Sequence, residues 1–266
     1  MHPRSSPAAE VMAMDPVRFS RLKKMAASPA HYLADDSGKT RCMETGSAVD
    51  ALVFGTKPVI CYPGKVRNGK EWEKFRDDPE NASSMIVTRS ELAEAEGMAA
   101  SVRAHPRAVE VLNGQYQKEI DWKFLGRDCQ SHLDVTGPGF DYVTELKSCN
   151  TSKPEMFRWK ALRMQYNAQL AFYGDAVQYV SGVLPKDYFI VCVESKFPYV
   201  VTVYRLTERA MDLGRRSCRL WMERLLQCEG ANYWPGYSEA IVDLDAPDDD
   251  FGFGDESATE GWEETS

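Results

Sequence analysis

Residues 131–148, SHLDVTGPGFDYVTELKS, set Asp134 on one arm of a predicted β-hairpin and both Glu145 and Lys147 on the other. With the turn centred near Pro138–Gly139, position 134 falls opposite about 144, which brings Asp134 beside Glu145. Side chains alternate along a strand, so Glu145 and Lys147 share a face. Two adjacent carboxylates repel each other unless a cation or a shared proton intervenes. Hard oxygen donors of this kind suit Mg2+, with Mn2+ as a substitute, and leave positions for water and phosphate. A lysine beside them could position or deprotonate a metal-bound water, or neutralise charge building on a phosphate. That chemistry is metal-assisted phosphodiester hydrolysis. The bland alternative makes Asp134 and Glu145 surface acids at a hairpin end, with Lys147 as a cross-strand partner.

The acid-x-Lys pattern occurs at Asp121-Trp122-Lys123 and Glu194-Ser195-Lys196 as well. The first shows no acid on a following arm, and the second abuts a Lys-Phe-Pro turn where solvated charge is ordinary. Downstream of Lys147, Gln169 and Tyr173 stand one helical turn apart on one face. Arg158, Lys160 and Arg163 add positive charge near the start of that helix, where a phosphate backbone could be tracked. Each of these also has a plain structural reading, as a polar pair and as a solvated helix face.

The elements that must position these residues follow from periodicity. A short amphipathic helix is expected from Ser20 to before Pro29, and a second over Glu44–Phe54, with Val49, Leu52 and Val53 on one face and Asp50 among them. Residues 55–88, rich in Pro, Gly, Lys and Asp, read as irregular surface structure. A polar helix is expected over Ser90–Ala104. From Ile120 the period shortens to two. IDWKFL and CQSHLDV form a hairpin that FDYVTELKS extends. A long helix over Lys153–Val180, a second hairpin (DYFIVCVES, then YVVTVYRL) and a helix from Thr207 to about Cys228 complete the chain. This order predicts a mixed α/β fold, a central mixed β-sheet flanked by helices.

At 266 residues and 30.0 kDa the chain suits one main core. The expected division is a flexible N-terminus (1–16), one domain (17–245) and an acidic, disordered tail (246–266). No apolar run approaches the roughly 20 residues of a membrane span, and the first residues lack the order of a signal peptide, so a cytoplasmic protein without membrane contact is expected. Seven dispersed cysteines without a C-x-x-C pair argue for reduced thiols over a disulfide frame, a zinc site or an iron–sulfur cluster. The formal net charge of −8 is concentrated at one end. Eleven acidic residues and no Lys or Arg lie from Glu239 onward, which leaves 32 basic against 29 acidic residues in the body. That mildly basic body is compatible with nucleic acid.

Asp134, ten intervening residues, Glu145-x-Lys147 and a helix with Gln169-x-x-x-Tyr173 together resemble the PD-(D/E)XK nuclease superfamily in its RecB-like branch. The chain is most similar there to the exonuclease VIII (RecE-type) phage and prophage exonucleases. Supporting matches run from Ser20-x-Leu22 and Ser28-Pro-Ala-His-Tyr32 through Gly46-Ser-Ala-Val-Asp50 and Gly69-Lys-Glu-Trp72 to Trp234-Pro-Gly-Tyr237. The resemblance implies a restriction-endonuclease-like core and a Mg2+-dependent deoxyribonuclease that degrades linear double-stranded DNA from 5′ ends. It also implies a homo-oligomeric ring and a recombination role beside a single-strand annealing protein. Asp134 and Glu145 would be metal ligands, Lys147 the catalytic lysine, Gln169 and Tyr173 supports of the site that contact DNA, and Glu119 an additional acid. Where the family usually carries a metal-binding histidine, this chain has Asp50, a harder ligand with shorter reach and more charge. A second reading is therefore a non-catalytic or weakened DNA-binding recombination scaffold with the same fold.

Overall fold

The structure, a computed structural model, describes residues 15–34, 41–64 and 66–244. The expected acidic tail and nearly all of the expected flexible N-terminus lie outside them. Five strands form one mixed sheet in chain order: β3 (Gln115–Phe124), β4 (Arg127–Thr136), β5 (Tyr142–Cys149), β6 (Asp187–Glu194) and β7 (Val201–Arg205). Every neighbouring pair is antiparallel except β5 and β6, which run parallel and need a crossover. That crossover is helical and carries Gln169 and Tyr173.

Helices cover both faces of the sheet. On one face, α3 (Arg41–Phe54), α5 (Arg89–Ala104) and α6 (Pro106–Val111) pack Ala48, Val49, Met98, Val102 and Ala108 against Val135, Leu146, Val191 and Val193. On the other, α8 (Tyr166–Ser181) and α9 (Glu208–Ala231) bury Ala168, Phe172, Cys218 and Met222 against Leu133, Val143, Ile190 and Cys192. The short α1 (Phe19–Leu22) and α2 (Pro29–Leu33) complete this layer through Phe19, Leu22 and Tyr32. Burial on both faces explains the nearly unbroken apolar run of β6. In α9, Met211, Gly214, Cys218, Trp221, Met222, Leu225 and Cys228 trace one buried stripe. A Cβ at Gly214 would collide with the Asn167 carbonyl, so glycine is what lets α9 cross α8 so closely.

Several expectations need correction. Residues 55–88 hold two short parallel strands, β1 (Val59–Cys61) and β2 (Met85–Val87), with α4 (Gly69–Arg76) between them. Three-residue strands are too brief to show a period. The single long helix expected over Lys153–Val180 is two, α7 (Pro154–Arg163) and α8, broken where Gln165 takes the left-handed conformation at φ 61°. No glycine or proline marks that break. The helix expected from Ser20 begins at Phe19 and tightens into a 3-10 turn over Lys23–Ala26. Nor is Asp121-Trp122-Lys123 without an acid on the next arm. Lys123 pairs with Asp128 across the β3–β4 turn at 2.6 Å. Glu194 is half-buried rather than a free surface charge, its carboxylate accepting the Ser152 backbone N–H at 2.6 Å.

Candidate active site

β4 and β5 pair at Val135–Thr144 and Thr136–Val143, and the ladder stops there. One step on, Asp134 replaces the backbone partner, its Oδ2 accepting the Leu146 N–H at 2.9 Å. The two strands thus part where Asp134 and Glu145 face each other. Across β3, Gln117 lies between Tyr116 and Lys118, whose partners are Val135 and Leu133, and so opposite Asp134. It adopts φ 49°, costly for a side chain other than glycine, and its side chain is among the groups that draw the Asp134 pKa back down against burial.

Glu145 is 2% exposed. Its Oε2 accepts from Lys147 Nζ at 2.7 Å and from Gln169 Nε2 at 3.1 Å. Gln169 also bonds the Tyr173 hydroxyl at 3.0 Å, so the helical pair read from sequence is a strut from α8 to the acid. The other oxygen, Oε1, is buried and has no hydrogen-bond partner. Such an oxygen is costly to bury unless a proton or a cation reaches it.

Asp50 joins this group from α3. That helix approaches β5 at Gly46, where a Cβ would stand 3.1 Å from Ser148 Oγ. Arg67 pins it from the side, bridging Glu44 and Glu91 at 2.8 Å each. Burial, then Asp134, pushes the Asp50 carboxyl up to about 8, while Lys147 draws it back. Burial and Asp134 likewise push Glu145 up to about 8. Asp134 is also raised, mainly by burial and against the pull of Lys147. Burial acts against the Lys147 charge, but Glu145 and Asp134 outweigh it and hold the ammonium above the usual lysine range. Lys147 is therefore a cation at neutral pH.

A cavity of about 340 Å³ opens over Lys147, Gln169 and Tyr173, with Arg18, Lys23 and His132 on its wall. Burial and the nearby Lys147 both lower the Lys23 pKa. Lys147 itself lies 5.4 Å over the Tyr166 ring. Glu119 sits outside the central group. It is exposed on β3, accepts from Gln130, and lies 3.5 Å from His132 at the cavity wall. Arg158, Lys160 and Arg163 lie on α7, away from the carboxylates, with Arg158 and Arg163 exposed.

Among the described residues, no three His, Cys, Asp or Glu side chains are already gathered into a metal cage. Lys147 holds one Glu145 oxygen, and the Leu146 amide holds one of Asp134. A hard divalent ion nevertheless fits the donors present. The unpartnered Glu145 Oε1, the burial that raises all three carboxyls, and the repulsion that Asp134 exerts on Asp50 and Glu145 are what such an ion would relieve.

Sequence reading missed Gln117, Arg18 and Lys23. Nothing local signals Gln117, whose backbone sign is set by the strand it crosses. Arg18 and Lys23 flank the Ser20-x-Leu22 match, but their approach to Lys147 is a long-range contact.

No curated protein matches the chain. A crystal structure from Eubacterium rectale bearing the name "Putative exonuclease" superposes with a TM-score of 0.63 at 15% identity, covering 96% of this chain and 98% of that one. A second solved structure, SSO0001, reaches a TM-score of only 0.26 at 14% identity over 48% of this chain and 67% of its own. The first likeness establishes the fold, a mixed sheet with helices on both faces. Residues 18–246 match the family described as "PDDEXK-like domain of unknown function (DUF3799)", a span that contains every acid, the lysine and the Gln–Tyr strut of the site. The chain belongs to that PDDEXK-like family, and with it to the PD-(D/E)XK nuclease superfamily.

Proposed function

We propose that the chain is a metal-dependent deoxyribonuclease that hydrolyses phosphodiester bonds of linear double-stranded DNA from its ends. The observation that carries this reading is the buried Glu145, tied by one oxygen to the Lys147 ammonium and by the other to nothing, beside Asp134 and beneath a cation-lined cavity. Asp134 and Glu145 would hold Mg2+, or Mn2+ in its place, with Asp50 as a third donor. When bound, the ion would polarise a phosphate oxygen and acidify a water. Lys147, being charged, acts by countering negative charge on the phosphate rather than by taking a proton. Gln169 and Tyr173 fix the Glu145 carboxylate, and the Leu146 N–H fixes Asp134. Arg18 and Lys23 sit where a phosphate entering the cavity would meet them.

The finer parts of the reading rest on the resemblance of Asp134, Glu145-x-Lys147 and Gln169-x-x-x-Tyr173 to RecE-type exonucleases. They are 5′ to 3′ polarity, single-stranded tails for recombination, a homo-oligomeric ring and a single-strand annealing partner; a cytoplasmic setting is proposed beside them from the sequence pattern. Among the described residues no helix is long and apolar enough to cross a membrane. End-labelled linear duplex and a covalently closed circle, each incubated with Mg2+, test the reading. Loss of label from the linear molecule with the circle intact is expected. Nicking of the circle makes the chain an endonuclease, and inertness toward both DNAs with Mg2+ and with Mn2+ leaves the scaffold.

A further inference from the structure

Helix α7 buries little of what it should. Phe157 is its one fully buried residue, stacked 4.6 Å from the Tyr204 ring. Trp159 is 65% exposed and Met156 58%, and Leu162 and Met164 are exposed too. A Trp is among the costliest residues to leave in water, and a contiguous exposed apolar patch marks a contact surface. Cations are interleaved with this patch. The Arg158 guanidinium lies 5.2 Å from the Trp159 ring centre, and Lys160 and Arg163 follow Met156 and Trp159 along one side of the helix. Trp159, Met156, Leu162, Lys160, Arg163 and Asn150 line an open cavity of about 630 Å³. The patch also runs into the candidate active site. Met164, which ends α7, and Tyr166, which starts α8, both wall the cavity over Lys147.

Aromatic faces beside fixed cations fit a ligand with flat π-surfaces joined by anionic groups, which is a nucleic acid strand. Bases inside a duplex are already stacked and offer no free face, so the ligand must be unpaired. A second copy of this chain docked by two-fold symmetry would set Arg158, Lys160 and Arg163 against their own copies, which like-charge repulsion opposes. We propose that the exposed face of α7, centred on Trp159, is a stacking site for unpaired nucleotides of the DNA strand that leaves or enters the cavity over Lys147. This rests on the nuclease reading and deepens it. The site would hold a frayed end open and keep the separated strand from re-pairing, with bases on Trp159 and Met156 and phosphates on Lys160 and Arg163.

The test is equilibrium binding of a labelled oligothymidylate, followed by anisotropy in EDTA so that no cleavage occurs, for the parent, Trp159→Ala and Trp159→Phe. A duplex closed by hairpins at both ends serves as the control ligand, and the parent and Trp159→Ala are also assayed for Mg2+-dependent hydrolysis of linear duplex. Losing one stacked base should weaken oligothymidylate binding by roughly tenfold or more in Trp159→Ala. Trp159→Phe should retain most of the affinity, the closed duplex should bind as before, and the salt dependence should not change because no phosphate contact is removed. Unchanged oligothymidylate affinity in Trp159→Ala, with a parent that hydrolyses DNA, overturns the stacking site alone. Dissociation of an oligomer by Trp159→Ala, without a change in affinity, assigns the face to self-association and also overturns it. A parent that neither binds nor hydrolyses DNA removes the stacking site together with the nuclease reading.

Discussion

Glu145 carries more of the site than any other residue, because it touches Lys147 and Gln169 with one oxygen and leaves the other unpartnered. Glu145→Gln should keep the volume and the Gln169 contact while removing the charge that a metal needs. Hydrolysis should fall by at least roughly a thousandfold, whereas thermal stability without metal at pH 8 should rise, since a repelled buried acid has gone. A variant that melts earlier than the parent at that pH would show Glu145 to be a fold-stabilising partner of Lys147 instead. The convergence of Asp134, Glu145 and Lys147 was legible from alternation and turn position, whereas their roles came from the family resemblance. Gln117 was not legible, since its φ of 49° and its place opposite Asp134 depend on which residue lies across the sheet. Asp50 was legible as a helix residue among apolar neighbours, but only the approach of α3 to β5 shows that it faces other acids. Asp50→Asn should raise the Mg2+ concentration needed for half-maximal rate, and Asp50→His should shift preference toward Mn2+, as metal titrations of the rate would record. Identical Mg2+ curves for the parent and Asp50→Asn would place Asp50 outside the ion's reach.

At the level of elements, the site is a junction of a split sheet, a pinned helix and a broken helix. Arg67 pins α3 through Glu44 to α5 through Glu91, and Glu91 is also the third helical residue, which closes the capping box that begins at Thr88. Arg67→Ala should lower stability by about 1–3 kcal/mol, because it removes a charged hydrogen bond to the buried Glu91. It should also lower the rate by letting α3 drift, whereas Arg67→Lys should recover part of both, as denaturant melts and initial rates would show. Loss of stability with an unchanged rate would uncouple α3 from the site. The break at Gln165 gives a second prediction. Glycine there should be neutral or stabilising by up to about 1 kcal/mol, and valine should destabilise by about 1–2 kcal/mol, since a β-branched residue resists φ 61°. Periodicity could not find this break, because Phe157, Ala161 and Ala168 keep helical spacing across it. The same holds for β1 and β2, whose three residues each are visible only once they pair.

For the whole molecule, two stretches distant in sequence close the fold. Tyr32, from the Ser28–Tyr32 match, stacks 5.7 Å from Trp234, and Ala30 donates its N–H to the Pro235 carbonyl at 3.2 Å. Both matches were legible as strings, but their mutual packing was not. The layered architecture was legible because strand and helix periods alternate clearly after Ile120. Charge is the other whole-molecule property. Asp50 and Glu145 are pushed from carboxylate values of 3.8 and 4.5 up to about 8. Between those limits the folded state holds protons that the unfolded chain releases, so stability must fall as pH rises through that window. Without metal, Tm should fall from pH 5 to pH 8.5, and saturating Mg2+ should flatten the decline by replacing the protons. A metal-free Tm that rises over this range, or one that Mg2+ leaves unmoved at pH 8, would remove the ion from the site. The most direct measurement is the initial rate of linear duplex hydrolysis with Mg2+, made side by side on the parent and on Lys147→Ala at matched purity and folding. Hydrolysis by the parent and a loss of at least roughly a thousandfold in the variant are expected. Equal rates, or a parent inert with both Mg2+ and Mn2+, would contradict the nuclease reading.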